Sequence, residues 1–401
     1  MGGNHAKVLM TDAGYRNALA ALQSLGRRGI PVVMAGPDSR GYAFHSRYCR
    51  GLGVYTHPAR SVEGFVSDLI RLLRLGSCEV LIPISMNSTI PVSLYKNRLL
   101  KYAKVPVADY KVVEMAQDKM KTLRIAEEIG ISTPKTITPE GLREVKRIAK
   151  DLDYPVIIKT RRGAGSLRDV RKANTPKELI QKYAELESLS NATSNYLLED
   201  YRRPMIQEFV PGEIYDVCVL FNEGEARAAL AQRRVITFPL GGGFGIVNET
   251  VRDFRLIKLA LRLLESMNWH GVAQVEFRLD ADGKPKLMEV NPKFWGTLEL
   301  SIKAGIDFPH LLYKMAIDGD VDPTFRYREG IQFWWVSSNL HMLLVAFLQK
   351  HRNVLSALLS RGVKTCDIHL DDIVPVYLKI VKNLRKLLLG GRAVFSDSYI
   401  L

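Results

Sequence analysis

Cysteine is scarce in this chain, which has four cysteines in 401 residues. They are Cys49, Cys78, Cys218 and Cys366. Because no two of them form a C-x-x-C pair, the sequence indicates neither a zinc knuckle nor a disulfide framework. The first ten residues, MGGNHAKVLM, also lack an apolar signal core of the usual length. We therefore predict a protein of the reducing cytoplasm.

Long apolar runs and nucleic-acid motifs are missing as well. The longest apolar stretch, residues 331–350, is interrupted by polar residues, which favours a buried helix over a membrane span. The formal net charge of +15 favours anionic partners. The basic residues are spread along the chain without interleaved aromatics, so we expect no nucleic acid among those partners. A small anionic substrate is the simplest interpretation.

Alternating apolar strands and helices predict a doubly wound parallel sheet over roughly the first 110 residues. The predicted elements are strands at 6–12, 30–36 and 80–85 and helices at 15–28 and 62–75. The first turn carries Gly14 but not the G-x-G-x-x-G fingerprint, so it gives only weak support for a dinucleotide site. We interpret this unit as a scaffold that shapes a substrate cleft.

The middle of the chain predicts further elements. A single helix is expected at 111–130, with Gly130 as its C-terminal stop. The segment YPVIIKTRRGAGS, residues 154–166, indicates a buried strand, Val156–Lys159, followed by a mobile basic glycine loop. Residues 205–224 predict two strands separated by a Pro-Gly turn.

The last 72 residues are poor in predicted strands and rich in leucine, and they predict a helical extension. One face of a helix at 376–389 would carry Tyr377, Ile380, Val381, Leu384 and Leu388, and the other would carry Lys379, Lys382 and Lys386. We expect the apolar face to cover a core and the lysines to face water. Weak contact of this basic helix with a membrane surface is the alternative.

Two acids are predicted to face each other across a hairpin at 272–290. If the Asp-Gly pair at 282–283 forms a two-residue type I′ turn, Glu276 lies opposite Glu289. Gln274 then lies opposite Asn291 on the same sheet face.

Like charges in such a cross-strand pair repel, and a divalent cation reverses the sign of that interaction. The oxygen ligands of Glu276, Glu289 and Asn291 suit Mg²⁺. The alternative is a pair of exposed acids on the solvent face of a hairpin.

Basic residues elsewhere provide candidate phosphate partners. Lys159 ends an apolar strand, and Gly163 and Gly165 follow it with backbone that can approach phosphate closely. The alternative for Lys159 is an ion pair with a neighbouring acid. Further candidates are Arg161, Arg162, Arg168, Lys119, Arg233, Arg234 and Lys293. Their alternative role is a solvated surface.

Six segments follow one another along the chain: QDKMKT, YPVIIKTRRGAGS, IQEFVPGE, AQRR followed by GGG, GVAQVEFR and MEVNPKFWG. In this order they resemble the ATP-grasp superfamily, particularly its carbamoyl-phosphate-synthetase-like and carboxylate-amine ligase branch. The resemblance covers about residues 5–325. It implies a mixed α/β and α+β protein. The expected parts are a Rossmann-like domain at 1–115, an ATP-grasp lid subdomain at 116–204, a second ATP-grasp subdomain at 205–328 and the helical extension at 329–401.

The resemblance implies that one group of residues binds ATP. Lys119 and Lys159 look like the two phosphate-binding lysines of the family. The mobile loop over the triphosphate would include Arg161, Gly163, Gly165 and Ser166. The adenine hinge would comprise Gln207, Glu208 and the backbone of Val210, and Glu213 would take the ribose hydroxyls.

A second group is implied in metal binding and chemistry. Glu276, Glu289 and Asn291 match the family's magnesium ligands, with Mn²⁺ as an alternative ion. Arg234, with Arg233 as the alternative, resembles the arginine that steadies the reacting phosphoryl group. The family's common N-P-R is N-P-K here, and the ammonium of Lys293 cannot make the bidentate contact of a guanidinium.

The implied activity is ATP-dependent ligation, in which a carboxylate becomes an acyl phosphate and an amine then attacks it, with release of ADP and phosphate. Positioning and charge neutralisation would supply the catalysis. Three alternatives stay open: activation of bicarbonate or another one-carbon carboxylate, ATP binding without turnover, and a membrane-peripheral enzyme acting on a lipid or surface polymer. We expect small-molecule substrates and, as a default, a homodimer.

Overall fold

A computed structural model describes residues 5–162, 170–193, 203–238, 243–337 and 365–389. The described strands form a four-stranded parallel sheet, a four-stranded antiparallel sheet and a seven-stranded, mainly antiparallel sheet. Helices lie among all three. This composition confirms the predicted mixture of α/β and α+β structure.

Three of the four strands in the N-terminal sheet are apolar and fully buried, as expected for parallel strands covered by helices. The edge strand, Cys49–Val54, instead leaves Leu52 and Val54 exposed. Its strands are β1 Val8–Met10, β2 Val32–Gly36, β3 Cys49–Val54 and β4 Val80–Ile82, in the order β3-β2-β1-β4. Its helices are α1 Arg16–Arg27, α2 Val62–Gly76, α3 Met86–Leu94 and α4 Lys96–Leu99. The strand order reverses between β1 and β4, and in such sheets the crevice beyond the carboxyl ends at this point is the usual ligand site.

The helix predicted at 111–130 is two helices, so that prediction is wrong. α5 spans Tyr110–Gln117 and α6 spans Lys119–Glu128. Asp118 separates them because its carboxylate caps α6, accepting the backbone N–H of Met120 at 3.1 Å. Gly130 follows the end of α6 with φ +73°, in agreement with its predicted role as a stop.

The antiparallel four-stranded sheet packs one face on two helices. Its strands are β5 Thr136–Ile137, β6 Val156–Lys159, β7 Val170–Ala173 and β8 Met205–Glu208, in the order β5-β8-β6-β7, and the helices are α7 Leu142–Ile148 and α8 Pro176–Thr193. Ile158 and Ile206 face the helices, where they pack with Val145 and Tyr183. Because side chains alternate along a strand, Lys159 and Gln207 point to the other face.

The seven-stranded sheet forms the centre of the molecule. Its strands are β9 Ile214–Asn222, β10 Glu225–Phe238, β11 Phe244–Val251, β12 Gly271–Leu279, β13 Pro285–Asn291, β14 Gln332–Trp334 and β15 Thr365–Cys366, in the order β13-β12-β9-β10-β11-β14-β15. Its helices are α9 Phe254–Ser266, α10 Leu298–Ala304 and α11 Phe308–Asp318. On one face Val217 packs with Leu263 of α9, and on the other Leu220 packs with Trp295 and Phe308.

Two predictions for the C-terminal region need correction. Gln332–Trp334 is a strand that pairs with β11, so the expected buried helix does not begin at 331, and residues 338–350 lie outside the described residues. In the last helix, α12 Ile373–Leu389, Lys379 is buried and Tyr377 is 63% exposed, which reverses the predicted faces at these positions. The reason is Asp372, which accepts hydrogen bonds from Gln23 and the Arg47 backbone and so orients the start of the helix. No described helix is long and apolar enough to cross a membrane.

The hairpin of β12 and β13 has the predicted cross-strand pairs but not the predicted turn. Glu276 lies opposite Glu289, and Gln274 opposite Asn291. The loop, however, has three residues, because the Asp280 N–H donates to the Lys284 carbonyl at 2.9 Å. A longer loop shifts the register by one residue, and a β-bulge that leaves Met288 unpaired shifts it back.

Gly283 closes this loop with φ +74°, a conformation that disfavours a side chain. We expect Gly283→Ala to reduce the free energy of unfolding by about 1 kcal/mol. Gly14→Ala is the matched control, because Gly14 does not have a positive φ and nothing lies within 4 Å of an added Cβ. Urea unfolding of both variants measures the difference, and equal stability of the two would contradict the loop geometry.

Candidate functional site

Three carboxylates lie side by side across three neighbouring strands. Asp216 on β9 pairs with Glu276 on β12, which in turn pairs with Glu289 on β13. Asp216 is 1% exposed. We refer to Asp216, Glu276 and Glu289 as the carboxylate row. Removing three negative charges from water at neighbouring positions is unfavourable unless cations compensate for them.

Protein cations meet this row from two directions. Arg234 on β10 lies 3.0 Å from Asp216 and also forms an ion pair with Glu276. The Lys119 Nζ, at the start of α6, lies 3.2 Å from Glu289 Oε2. The Asn291 amide donates to Glu289 Oε1 at 3.0 Å. In this arrangement two side-chain cations relieve the repulsion between the acids, so the row does not by itself demand a metal ion.

The pKa values in the row follow from these neighbours. Burial raises the pKa of Glu289, but the charges of Lys119 and Lys159 outweigh this effect and lower it to about 2. Burial raises the pKa of Glu276, with Arg234 opposing the rise and Glu289 adding to it. Burial by itself lowers the pKa of Arg234, but the charges of Asp216 and Glu276 raise it by more than this. The net pKa lies above the usual value for arginine, so this side chain stays charged. Glu289 is therefore ionised at neutral pH.

Lys159 is a buried cation that has no partner among the described residues. Its side chain, at the end of β6, is 6% exposed and makes no hydrogen bond or ion pair in the described structure. The ion pair that was the alternative for Lys159 is therefore absent from the described residues. Burial, together with the charge of Lys119, lowers the pKa of Lys159 to about 8. A buried ammonium of this kind is suited to receive an anionic ligand.

The loop that follows β6 is anchored at its start. Arg161 makes a bidentate contact with Asp118, at 2.7 and 2.8 Å, and Arg162 pairs with Glu114. Neither arginine is a solvated surface residue, which corrects that alternative. The two ion pairs tie the loop to α5 and α6, next to Lys119. Gly163, Gly165, Ser166 and Arg168 lie outside the described residues.

Two of the residues predicted for the adenine hinge, Gln207 and Glu208, end β8, and Val210 follows that strand. Gln207 is buried; its amide donates to Thr136 Oγ1 at 2.8 Å, and its Oε1 has no hydrogen-bond partner. Glu208 pairs with Lys286, and the Val210 carbonyl accepts from Arg278 at 2.9 Å. Gln207 thus leaves a buried acceptor on the same sheet face as Lys159.

Arg233 and Arg234 point to opposite faces of β10, as alternation requires. Arg233 pairs with Glu249 at 2.8 Å and lies 3.5 Å from Glu213, and the Glu213 carboxylate also accepts from the Tyr215 hydroxyl at 2.9 Å. The structure therefore brings Arg234, and not Arg233, to the carboxylate row.

Lys293 follows the row on the chain. Its backbone N–H donates to the Asn291 carbonyl at 2.9 Å, whereas its side chain makes no hydrogen bond or ion pair in the described structure. Burial lowers its pKa, with Glu289 opposing and Arg16 adding to the shift. Lys293 is thus a half-buried ammonium that has no partner among the described residues.

Comparison with known proteins identifies the fold to which this geometry belongs. Residues 200–338, which include the whole carboxylate row, match a family described as "ATP-grasp in the biosynthetic pathway with Ter operon". Through this region the chain is similar to the ATP-grasp superfamily. It is 24% identical over 226 residues to the carbamoyl phosphate synthase large chain of Pyrococcus furiosus, covering 53% of this chain and 19% of that protein.

Two further comparisons extend this likeness. It is 24% identical over 192 residues to D-alanine–D-alanine ligase of Cupriavidus necator, covering 44% of this chain and 54% of the ligase. The biotin carboxylase domain dimer of Hydrogenobacter thermophilus 2-oxoglutarate carboxylase, solved with MgADP, ADP and bicarbonate, superposes with a TM-score of 0.63 at 15% identity. The superposition covers 81% of this chain and 73% of that one. The aligned part is about a fifth of the first relative and about half of the second.

The donor atoms of this site fit a magnesium ion. The described residues contain no group of three or more His, Cys, Asp and Glu side chains that would hold a metal alone. Glu276, Glu289 and Asn291 instead offer a few hard oxygens, the set used by Mg²⁺ when phosphate oxygens and waters complete its shell.

Asp216 is the functional candidate that sequence reasoning missed. Its signal was a single acid inside the apolar strand segment IYDVCVLF of β9. Because strand alternation alone does not reveal which strand lies next to β12, the sequence did not connect it with Glu276.

The unpaired charge of Lys159 predicts a gain in stability for Lys159→Met. Below about pH 8 the ammonium is charged in both the folded and unfolded states but is desolvated only in the folded one. We expect the variant to raise the free energy of unfolding by about 1–3 kcal/mol at pH 7. The gain should shrink between about pH 8 and 10.5, where only the unfolded chain keeps the proton.

Thermal unfolding across this pH range measures the effect. Lys146→Met, on the exposed surface of α7, is the control and should show no such trend. A destabilised Lys159→Met protein at pH 7, or a difference independent of pH, would contradict the assignment of an uncompensated buried charge.

Proposed function

We propose that this chain binds MgATP beside the carboxylate row and uses it to phosphorylate a carboxylate, which an amine then attacks. The observation that carries this proposal is the combination of a paired Glu276 and Glu289 with a buried, unpartnered Lys159 whose charge acts on both acids. Oxygen ligands for a cation and a free ammonium for phosphate are what a triphosphate complex requires.

The cations of the site would each contact part of the triphosphate. Lys159 is available at once, whereas Lys119 and Arg234 are bound to the carboxylate row. We propose that Lys119 and Arg234 transfer from these carboxylates to phosphate oxygens when the metal complex binds. Bound magnesium would supply charge neutralisation of the triphosphate. The carboxylates remain compensated in this exchange, because the positive charge of the metal ion replaces that of the departing lysine or arginine.

The chemistry divides into two transfers. A carboxylate oxygen of the substrate attacks the γ-phosphorus of ATP, the bond to the β-phosphate oxygen breaks, and ADP leaves. The amine nitrogen then attacks the acyl carbon, the carbon–oxygen bond to phosphate breaks, and the amine proton passes to solvent or to a base. We propose that Arg234 steadies the phosphoryl group and that Lys293 holds the substrate carboxylate through a single ammonium contact.

The remaining assignments follow the family pattern and are proposals as well. The hinge of Gln207, Glu208 and Val210 would hold adenine, and the exposed Glu213 would take the ribose hydroxyls. The loop from Arg161 through Gly163 and Gly165 to Ser166 would close over the phosphates, within a lid subdomain at 116–204. Closure would exclude water from the acyl phosphate.

Bicarbonate activation is a second candidate, supported by the comparisons. Carbamoyl phosphate synthase is among the relatives, and the carboxylase domain that superposes on this chain was solved with bicarbonate. In that case bicarbonate takes the place of the organic carboxylate and yields a carboxyphosphate. The site residues keep the same roles, so only the substrate separates the two candidates.

Glu289→Gln tests the metal assignment. The amide removes one charge from the site while keeping the shape of the side chain, so magnesium-dependent ADP release should fall by about 100-fold or more. Glu265→Gln, on the exposed side of α9, is the control and should retain normal turnover. Full turnover by Glu289→Gln in saturating Mg²⁺ and Mn²⁺ would remove Glu289 from the metal site.

A substrate screen separates the candidate functions. We expect ADP release that requires both a carboxylate and an amine, measured with amino acids, dipeptides, polyamines and bicarbonate. ADP release with bicarbonate alone would favour the second candidate. ATP binding without ADP release from any mixture would favour a binding protein without turnover.

A further inference from the structure

The carboxyl edge of the parallel sheet is rigidly built. Asp12, directly after β1, adopts φ +66° and is 4% exposed. Its carboxylate accepts hydrogen bonds from Tyr55, Ser85 and Ser88 at 3.0–3.1 Å. A non-glycine residue keeps this conformation only where its surroundings hold it. The loops after β1 and β4 are therefore fixed to each other at the point where the strand order reverses.

Arg16 carries positive charge from this edge toward the candidate active site. It is the first residue of α1, and its guanidinium lies 4.7 Å from the centre of the Trp335 ring. Its Nη2 is 2.9 Å from the position that a Cβ on Gly296 would occupy, so Gly296 allows the close approach. Arg16 thus lies against the short loop that begins with Lys293.

Lys379 reaches the same edge from the C-terminal helix. Its side chain is 9% exposed, and its Nζ lies 5.3 Å from the ring centre of Tyr42, in the turn that follows β2. Lys379 makes no hydrogen bond or ion pair in the described structure. Burial lowers its pKa to about 8, with Asp367 opposing the shift and Arg16 adding to it. Both features are those of an ammonium that lacks its anion.

The neighbouring acids have other partners. Asp367 accepts hydrogen bonds from the backbone N–H of Ser337 at 3.1 Å and from its hydroxyl, and Glu299 contacts His369. The helix that carries Lys379 is held independently of any ligand, because Asp371 pairs with Arg27 at 2.9 Å. Lys379 is therefore preorganised at this position rather than placed there by an ion pair of its own.

We propose that Arg16 and Lys379 bind a second anionic group of the substrate, so that the carboxylate to be activated belongs to a dianionic molecule. Lys293 would hold the reacting carboxylate, and the second group, a carboxylate or a phosphate ester, would lie between α1 and α12. This inference rests on the proposed ligase function and adds the class of its substrate. It also gives the segment 365–389, which lies outside the matched family region, a role in specificity.

Matched substrate pairs test this proposal. ADP release is measured with glutamate against glutamine, aspartate against asparagine, and phosphoserine against serine, each with an excess of amine. We expect wild-type kcat/KM to be at least about tenfold higher for the charged member of the preferred pair, mainly through KM. The pair with the largest preference distinguishes a second carboxylate from a phosphate ester.

Lys379→Met should bring this preference close to unity, and Lys379→Arg should retain part of it. Lys382→Met, exposed on the same helix, is the control and should keep both the preference and the activity of wild type. If Lys379→Met does not fold, Arg16→Gln provides the same readout. Loss of stability lowers kcat/KM equally for both substrates of a pair and leaves their ratio unchanged. A change in the ratio therefore indicates a binding role.

Three results would overturn the proposal. A wild-type enzyme that releases ADP equally with both members of every pair rejects the dianionic substrate and leaves the ligase function intact. If Lys379→Met and Arg16→Gln both keep the preference for the charged substrate, Lys379 and Arg16 do not bind the substrate. Their role is then only to balance the charges of Asp367 and Glu299. Absence of ADP release with every carboxylate rejects the ligase function and this inference together.

Discussion

The compensation of the carboxylate row is the interaction on which the rest of the site depends. Asp216, Glu276 and Glu289 occupy neighbouring positions of one sheet, where mutual repulsion and desolvation both oppose their ionised forms. The compensating charges come from different elements, Arg234 from a strand and Lys119 from a helix. The helix must therefore begin where Lys119 can reach Glu289, and Asp118 sets that start. The same Asp118 binds Arg161, so one buried acid positions both Lys119 and the loop after β6.

Two buried lysines and one half-buried lysine share an unusual electrostatic state. Lys159, Lys293 and Lys379 each have a pKa lowered by burial, and none makes an ion pair in the described structure. Such side chains reduce the free energy of unfolding, and they persist in proteins where an anionic ligand supplies the missing charge. The net charge of the whole chain also favours anionic partners, and we propose that the anions bind at these three lysines.

The β12–β13 hairpin has the predicted pairing of Glu276 with Glu289, although its turn differs from the predicted one. A two-residue turn was expected, and a three-residue loop with a bulge at Met288 produces the same pairing at Glu276. Burial of one sheet face constrains the register of β13 against β12. A net shift of one residue would turn Glu289 and Asn291 to the opposite face of the sheet. Alternation of side chains near the site was therefore a better guide to the register than the composition of the turn.

Hydrophobic periodicity and short motifs determined much of this protein from sequence alone. They gave the parallel N-terminal sheet, the strand Val156–Lys159, the pairing of Glu276 with Glu289, and the resemblance to the ATP-grasp superfamily. These features depend on residues close together in the chain or on patterns repeated within one strand. Only the tertiary structure added Asp216 to the row, chose Arg234 over Arg233, divided the helix at Asp118 and buried Lys379. Most of these outcomes depend on which distant elements pack together, since contacts between residues far apart in the chain decide which face of a strand or helix is buried.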